Sequence, residues 1–253
     1  MNYDEIQGMR VSEIKALAVN SYDSILSELI EPRPITDPLR LGSVIHAIIL
    51  QDNMDNMPSN IKILDYDNWR TKDAQNAKKE YEATQEIIPV LSSEFETIQR
   101  MINSVKNHLI DIFGGGEYER AHIGELENFG AIKGRLDCLK DDCVMDLKCT
   151  AQLTNLDKKI FDMGYQLQMY LYMLLSNKSK AKLVFLHTKT GLIEVKHLEL
   201  KAIEPECEIL LKRAWANKQK LDLYKAFKEI EVNDSDYIPP QWALSELLNW
   251  ESN

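Results

Sequence analysis

The chain contains few cysteines, and this limits the kinds of site it can build. Four cysteines in 253 residues are too few for the disulfide framework of a small secreted domain. Three of them are close in sequence, but their spacings of five and six residues do not match the paired cysteines of zinc sites: Cys138, Cys143 and Cys149. We therefore expect reduced core cysteines.

The sequence also lacks long apolar runs. No stretch approaches the roughly 20 apolar residues that cross a bilayer, and the polar first residues do not resemble a signal peptide. We therefore expect a cytoplasmic protein that makes no membrane contact.

Positive charge is in deficit, since the formal net charge is −10. A protein that coats nucleic acid by bulk attraction needs an excess of lysine and arginine, so that class is disfavoured. An acidic protein can still carry a local basic groove. With 44% hydrophobic residues, the chain can bury the core of one large domain.

The apolar periodicity predicts a mixed α/β fold in a single domain spanning 1–253. Residues 1–115 are expected to be mainly helical, with a Pro-rich break at 31–38 and two surface helices between Trp69 and Ile112. Residues 116–200 are expected to form three strands, a helix and a second hairpin. Residues 201–253 are expected to form a long helix and a Pro-interrupted tail that docks on the body or on a partner.

Two aspartates and a lysine lie on a predicted hairpin. Asp137 ends one strand, Asp146 stands on the next, and Lys148 follows two residues later, on the same face as Asp146. Converging carboxylates suit Mg²⁺, which can polarise a phosphate and help ionise water, and Lys148 can stabilise developing charge. The plain alternative is that all three are hairpin surface charges, but apolar neighbours of Asp146 and Lys148 make unpaired charge costly there.

These residues and two further motifs resemble the RecB-type branch of the PD-(D/E)XK nucleases. An early apolar helix carries Gly42 and His46, similar to the branch's His motif. A later helix fits its Y-x-x-Q-x-x-x-Y pattern through Tyr165, Gln168 and Tyr172. A second frame, two residues earlier, would use Gln166 and Tyr170.

The resemblance implies a restriction-endonuclease-like core, which is a central mixed sheet flanked by helices, with an N-terminal helical extension. It implies Mg²⁺ or Mn²⁺ held by His46, Asp137, Asp146 and the carbonyl of Leu147. Lys148, Gln168 and Tyr172 would complete the catalytic group. No iron–sulfur cluster is expected, because only Cys207 follows Cys149. An additional acid used by some relatives is left open between Glu125 and Glu127, with plain surface charge as the alternative.

The N-terminal segment and the residues around Asp137 resemble, more narrowly, phage and prophage RecE-like exonucleases. This implies degradation of double-stranded DNA from its ends, usually 5′ to 3′, in recombination or repair in a bacterium or an infected cell. A single-strand annealing protein and a ring-shaped homo-oligomer are the implied partners. A non-catalytic DNA-end adaptor and an endonuclease on structured DNA or RNA remain alternatives.

Several residues are candidates for DNA contacts. Arg135 adjoins the catalytic strand, and a predicted helix carries three basic residues among interspersed acids, so that a solvated helix face explains them equally well. The full set is Arg135, Gln166, Arg70, Lys72 and Lys78.

Overall fold

The computed structural model describes residues 3–30, 36–84 and 87–229. After a short 3-10 helix at Tyr3–Glu5, the N-terminal part is mainly helical. Its elements are β1 (Met9–Arg10), α1 (Val11–Val19), α2 (Tyr22–Ile30), α3 (Asp37–Ile49), β2 (Ile61–Leu64), α4 (Lys72–Thr84), β3 (Ile88–Leu91) and α5 (Ser92–Phe113).

The remainder of the chain alternates strands and helices. Its elements are β4 (Glu117–Leu126), β5 (Gly130–Leu139), β6 (Val144–Thr150), α6 (Leu156–Asp162), α7 (Tyr165–Ser176), β7 (Lys180–His187), β8 (Ile193–Glu199) and α8 (Leu200–Glu229). For residues 116–229, the sequence predicts strands, then a helical segment, a hairpin and a closing helix. This order is confirmed.

A six-stranded mixed sheet forms the centre of the fold, with the order β1-β5-β6-β7-β8. β1 and β6 pair with different parts of β5, and β4 also pairs with β5, along most of its length. β1 runs parallel to β5, β6 runs parallel to β7, and the other neighbours are antiparallel. Helices cover both faces, so the expected mixed sheet flanked by helices is confirmed.

Two apolar cores lie on opposite faces of this sheet. One core joins α1, α6, α7 and α8 to residues such as Leu136 and Val144. The other joins α3 and α5 to residues such as Met145 and Leu147. The alternation along β6 therefore directs Asp146 and Lys148 toward the first set of helices, because side chains two apart share a face.

Some details of the sequence prediction are wrong. The helix expected across residues 158–175 is divided by Met163 and by Gly164, whose positive φ of 63° separates α6 from α7. The short strands β2 and β3 form a separate parallel pair that the polar pattern of this region did not indicate. Helix α5 buries an apolar face that includes Phe95 and Phe113, so it is not a surface helix alone.

Two predicted segments lie outside the described residues, namely most of the Pro-rich break and the C-terminal tail from residue 230 onward. Within the described ranges, no helix combines the length and apolar character that a bilayer-spanning segment requires.

Candidate active site

A gap between β5 and β6 forms the candidate active site. The two strands pair only at Cys138 opposite Met145 and at Leu139 opposite Val144. Earlier in β5, at Ile132 and Lys133, the neighbouring strand is β1. Residues 134–137 of β5 therefore border a cleft in the sheet. This is where the sheet leaves room for side chains between its strands.

At Asp137, the alternation of side chains between the two faces of strand β5 is interrupted. Leu136 lies in one core and Cys138 in the core on the opposite face, although residues two apart in a regular strand share a face. The carboxylate of Asp137 instead crosses the gap, where its Oδ2 accepts a hydrogen bond of 2.8 Å from the backbone N–H of Leu147. A side chain thus replaces a ladder hydrogen bond and brings Asp137 beside β6.

Asp146 is 1% exposed and is held by two neighbours. Its Oδ1 accepts a hydrogen bond of 2.9 Å from Nε2 of Gln168. Its Oδ2 lies 2.6 Å from Nζ of Lys148 but receives no well-aligned hydrogen bond. One oxygen is therefore fixed, and the other faces a cation.

The structure distinguishes between the two glutamine–tyrosine frames. Gln168 reaches Asp146 and also donates to the hydroxyl of Tyr172 over 3.2 Å. Gln166, in contrast, is 3% exposed and donates to Glu206 of α8 over 2.8 Å, while the Tyr170 hydroxyl donates to Glu204. The expected DNA contact by Gln166 stays a prediction, while in the structure its side chain is buried against α8.

His46 approaches the cleft from α3. Its Nδ1 lies 3.6 Å from Oδ2 of Asp137, and the backbone of Leu147 is close enough to act on the pKa of its ring. In an extended strand the N–H and carbonyl of one residue point to the same edge, so both groups of Leu147 face the gap. The fold thus places His46 and Leu147 beside Asp137, and it places Asp146 near enough for its charge to raise the pKa of Asp137.

Burial and charge set the ionisation of these groups. Burial lowers the pKa of His46 to about 4, so the imidazole is neutral, which is the form that binds metal. Burial, followed by the nearby carboxylate of Asp146, raises the pKa of Asp137 well above its usual value. Burial alone would lower the pKa of Lys148, but Asp146 and Asp137 raise it, so the lysine is an ammonium.

The donor set fits a divalent cation that keeps part of its water shell. In the described part of the chain, no group of three or more His, Cys, Asp or Glu side chains could by itself hold a metal ion. Mg²⁺ commonly takes only one or two carboxylates, with water and phosphate supplying the rest. The buried, incompletely bonded Oδ2 of Asp146 beside Asp137 meets that requirement.

Glu119 is an acidic neighbour that the sequence pattern did not indicate. It stands in β4 between residues that pair with Leu136 and Cys138. Its backbone φ of 53° is rare for a residue other than glycine. Burial raises the pKa of Glu119, Arg135 lowers it and Asp146 raises it. Its carboxylate lies 2.7 Å from Nε of Arg135.

Glu125 and Glu127 lie at the end of β4 that is remote from Asp137. Glu125 pairs with Ala131, six residues before Asp137 and hence roughly 20 Å along the strand. Glu127 lies in the turn after β4. Glu119 stands opposite Asp137, between the residues of β4 that pair with Leu136 and Cys138.

The basic side chains that were predicted to contact DNA differ in their surroundings. Arg135 is exposed at the cleft, where it pairs with Glu119 and lies over the ring of Tyr3. Lys78 lies 2.8 Å from Asp37 and over the ring of Trp69, so internal contacts engage it. Arg70 is exposed just before α4, and Lys72 is exposed as the first residue of that helix.

The Asp137→Asn variant is expected to unfold at a higher temperature than the wild type near pH 8 in EDTA. A carboxyl whose folded pKa exceeds its unfolded value destabilises the folded state once it ionises. The penalty is absent below the unfolded pKa, near 4, and grows as pH rises to the folded pKa. Each kcal/mol recovered corresponds to roughly 2–4 °C for a chain of this length.

Thermal melts of both proteins at pH 4 and pH 8 test this expectation. Asparagine can still accept the Leu147 hydrogen bond, so the two proteins should converge at pH 4. Divalent metal should stabilise the wild type more than the variant, because ligand binding to the folded state raises stability. A variant less stable than the wild type at pH 8 in EDTA would contradict the assigned burial penalty.

The variants Gln168→Leu and Gln166→Leu form a matched pair on one helix. If the chain has the nuclease activity that the family resemblance implies, we expect Gln168→Leu to lower the cleavage rate by about 10–100-fold, because outer partners of metal-binding carboxylates have effects of that size. Gln166→Leu should leave the rate within about twofold, since Gln166 bonds to Glu206 instead. Initial rates on linear duplex DNA measure the effect of each variant. Equal losses would contradict the assignment of Gln168 and Tyr172 as the motif pair.

Comparisons with known proteins find a matching protein family. A family model described as "PDDEXK-like domain of unknown function (DUF3799)" matches residues 10–188, which include His46, Asp137, Asp146, Lys148 and the Gln168 helix. No curated protein sequence matches the chain.

Solved structures resemble the chain at low sequence identity. A candidate exonuclease from Eubacterium rectale has a TM-score of 0.56 at 15% identity, with 91% of each chain covered, so it shares the fold. A phage-related exonuclease from Haemophilus somnus has a TM-score of 0.39 at 13% identity, covering 87% of this chain and 96% of its own. An alkaline exonuclease from Laribacter hongkongensis has a TM-score of 0.34 at 16% identity, covering 62% and 86%.

Proposed function

The chain belongs to the PDDEXK-like DUF3799 family, and from that premise we propose that it is a metal-dependent DNA exonuclease that hydrolyses phosphodiester bonds from duplex ends. The observation that carries the proposal is the convergence of Asp137, Asp146 and Lys148 at the gap between β5 and β6. Buried carboxylates next to a protonated lysine suit phosphate chemistry, in which negative charge must be both held and neutralised.

Each residue of the cleft has a chemical task in this proposal. His46, Asp137, Asp146 and the Leu147 carbonyl would hold Mg²⁺ or Mn²⁺, which when bound polarises the scissile phosphate and lowers the pKa of water. Lys148 orients the attacking water and stabilises charge on the phosphate oxygens. Gln168 fixes Asp146 through a hydrogen bond of 2.9 Å, so that the carboxylate does not rotate between turnovers.

The family's exonuclease-like neighbours, together with the exposed Arg135 beside the cleft, favour a DNA end as the substrate. Arg135 would leave Glu119 for a backbone phosphate, because guanidinium groups bind phosphate well. The 5′ to 3′ direction, a place in phage-type recombination, an annealing partner and a ring-shaped assembly are parts of the same proposal.

Digestion of linear duplex beside closed circular DNA tests the function. Substrates labelled at the 5′ or the 3′ end are incubated with Mg²⁺, Mn²⁺ or EDTA. Metal-dependent loss of linear DNA alone, with the 5′ label released first, is the expected result. Nicking of circles would replace the exonuclease with an endonuclease. No cleavage of DNA or RNA with either metal, combined with binding to DNA ends, would favour an adaptor.

A further inference from the structure

A second lysine reaches the active site from the N-terminal helix. Nζ of Lys15, on α1, lies 3.0 Å from Oε1 of Gln168. Nζ of Lys148 lies 3.3 Å from the same oxygen. Two ammonium groups, from elements more than a hundred residues apart in sequence, therefore converge on one amide oxygen.

These contacts define how the amide of Gln168 is oriented. With Oε1 toward the lysines, Nε2 can donate to Asp146 and to the Tyr172 hydroxyl. The opposite orientation would place the amide N–H groups against two ammonium donors and the carbonyl oxygen against a carboxylate. Because lysine can only donate and carboxylate can only accept, the observed orientation alone gives every neighbour a partner.

The junction between α6 and α7 lets Lys15 come this close. A β-carbon at Gly164 would lie 2.6 Å from Cγ1 of Val19 and 3.1 Å from Cγ of Lys15. Gly164 also has a φ of 63°, where larger residues are strained. The ring of Tyr165, the next residue, faces both ammonium groups, at 5.2 Å from Lys15 and 4.6 Å from Lys148.

We infer that Lys15 is a positioning residue of the nuclease site, which holds the Gln168 amide so that Asp146 and Lys148 keep their productive arrangement. The inference rests on the proposed nuclease function. Lys15 acts through Gln168, and its ammonium has no direct role in bond cleavage. The chain from α1 to the metal-binding carboxylate is Lys15, Gln168 and Asp146.

The ammonium of Lys15 lies where its positive charge is unfavourable. Burial, and then the charge of Lys148, lower the pKa of Lys15 to about 8, against a smaller opposing effect of Asp146. A lysine whose folded pKa lies below its unfolded value costs stability at every pH below the folded pKa, and the cost disappears above the unfolded one. Lys15→Met should therefore keep or raise thermal stability at pH 7, which separates lost function from lost folding.

A double-mutant cycle tests whether Lys15 acts through Gln168. The proteins are wild type, Lys15→Met, Gln168→Leu and the double variant, with Lys15→Arg as a conservative replacement and Lys201→Met, an exposed lysine of α8, as control. We expect Lys15→Met to lower kcat by about tenfold with little change in KM. The double variant should be no slower than Gln168→Leu, because coupled residues are not additive. Lys15→Arg should recover part of kcat, and the control should match the wild type.

Several results would overturn the inference. Additive losses in the double variant would mean that Lys15 does not act through Gln168. A raised KM with unchanged kcat, together with a weaker salt dependence of DNA binding, would identify a phosphate contact instead. An unchanged kcat would mean that Lys15 has no part in the reaction.

A measurement without DNA separates failure of this inference from failure of the proposed function. The Nε2 signals of Gln168, identified in NMR spectra by their absence from Gln168→Leu, should shift and exchange faster with solvent in Lys15→Met. Unchanged signals would overturn the contact, whether or not the protein cleaves DNA. A wild type that cleaves nothing, with the signals shifted as expected, would overturn the nuclease function and leave the contact standing.

Discussion

Asp146→Asn is expected to abolish metal-dependent cleavage, with a loss of at least about a thousandfold in rate. The substitution keeps the size of a side chain that is 1% exposed, so the fold should survive. It removes the negative charge at the oxygen that faces Lys148 and that would bind the proposed metal, and an amide is a much weaker ligand for a hard cation. Initial rates on linear duplex, with calorimetric Mn²⁺ titration of both proteins, measure the loss of cleavage and of metal binding together.

Asp141→Asn is the matched control, because Asp141 lies in the exposed turn of the same hairpin. It should cleave and bind metal like the wild type. Circular dichroism and thermal melting establish that both variants are folded. If Asp146→Asn cleaves DNA at the wild-type rate, the placement of the active site between β5 and β6 is refuted.

Lys148→Met is expected to separate catalysis from metal binding. Methionine keeps most of the length of the side chain but cannot donate a hydrogen bond or carry charge. Removing one preorganised stabilising group lowers kcat by about 100–1,000-fold in enzymes where this has been measured. Mn²⁺ binding should persist, because the carboxylates remain and lose a competing cation 2.6 Å from Oδ2 of Asp146.

Single-turnover cleavage and Mn²⁺ titration, performed on the same preparations, test this separation. Lys180→Met, at the exposed start of β7, is the control and should retain full activity. The melting temperature of Lys148→Met in EDTA should fall, since a buried carboxylate loses its ion pair, and metal should restore part of it. If metal binding disappears together with cleavage, then Lys148 has a structural role that the proposed chemistry does not include.

Much of the candidate catalytic group could be predicted from local sequence. The spacing between Asp137, Asp146 and Lys148 required only a short hairpin and strand alternation, and both are present. The helix bearing His46 and the long closing helix were also evident from apolar periodicity. Such patterns depend on neighbours within a few residues, and so they can be read along the chain.

The choice between Gln166 and Gln168 could not be made in this way. Both side chains lie on a helix that is buried on nearly every side, so amphipathic patterning gave no preferred face. The packing of α7 decided the matter, since it lies between the sheet and α8. The same packing turned Gln166 and Tyr170 toward acidic residues of α8.

The sequence by itself determined the carboxylates, the lysine and the order of the strands, because these depend on local spacing and on the chemistry of each residue type. The tertiary structure alone decided that Lys15 reaches Gln168, that Glu119 borders the cleft, and that the alternation of side chains along β5 is interrupted at Asp137. The physical reason is that these features arise where distant segments meet. A hydrogen bond between α1 and α7, or a rare backbone angle in β4, is favoured by its partners in space and leaves no repeating pattern along the chain.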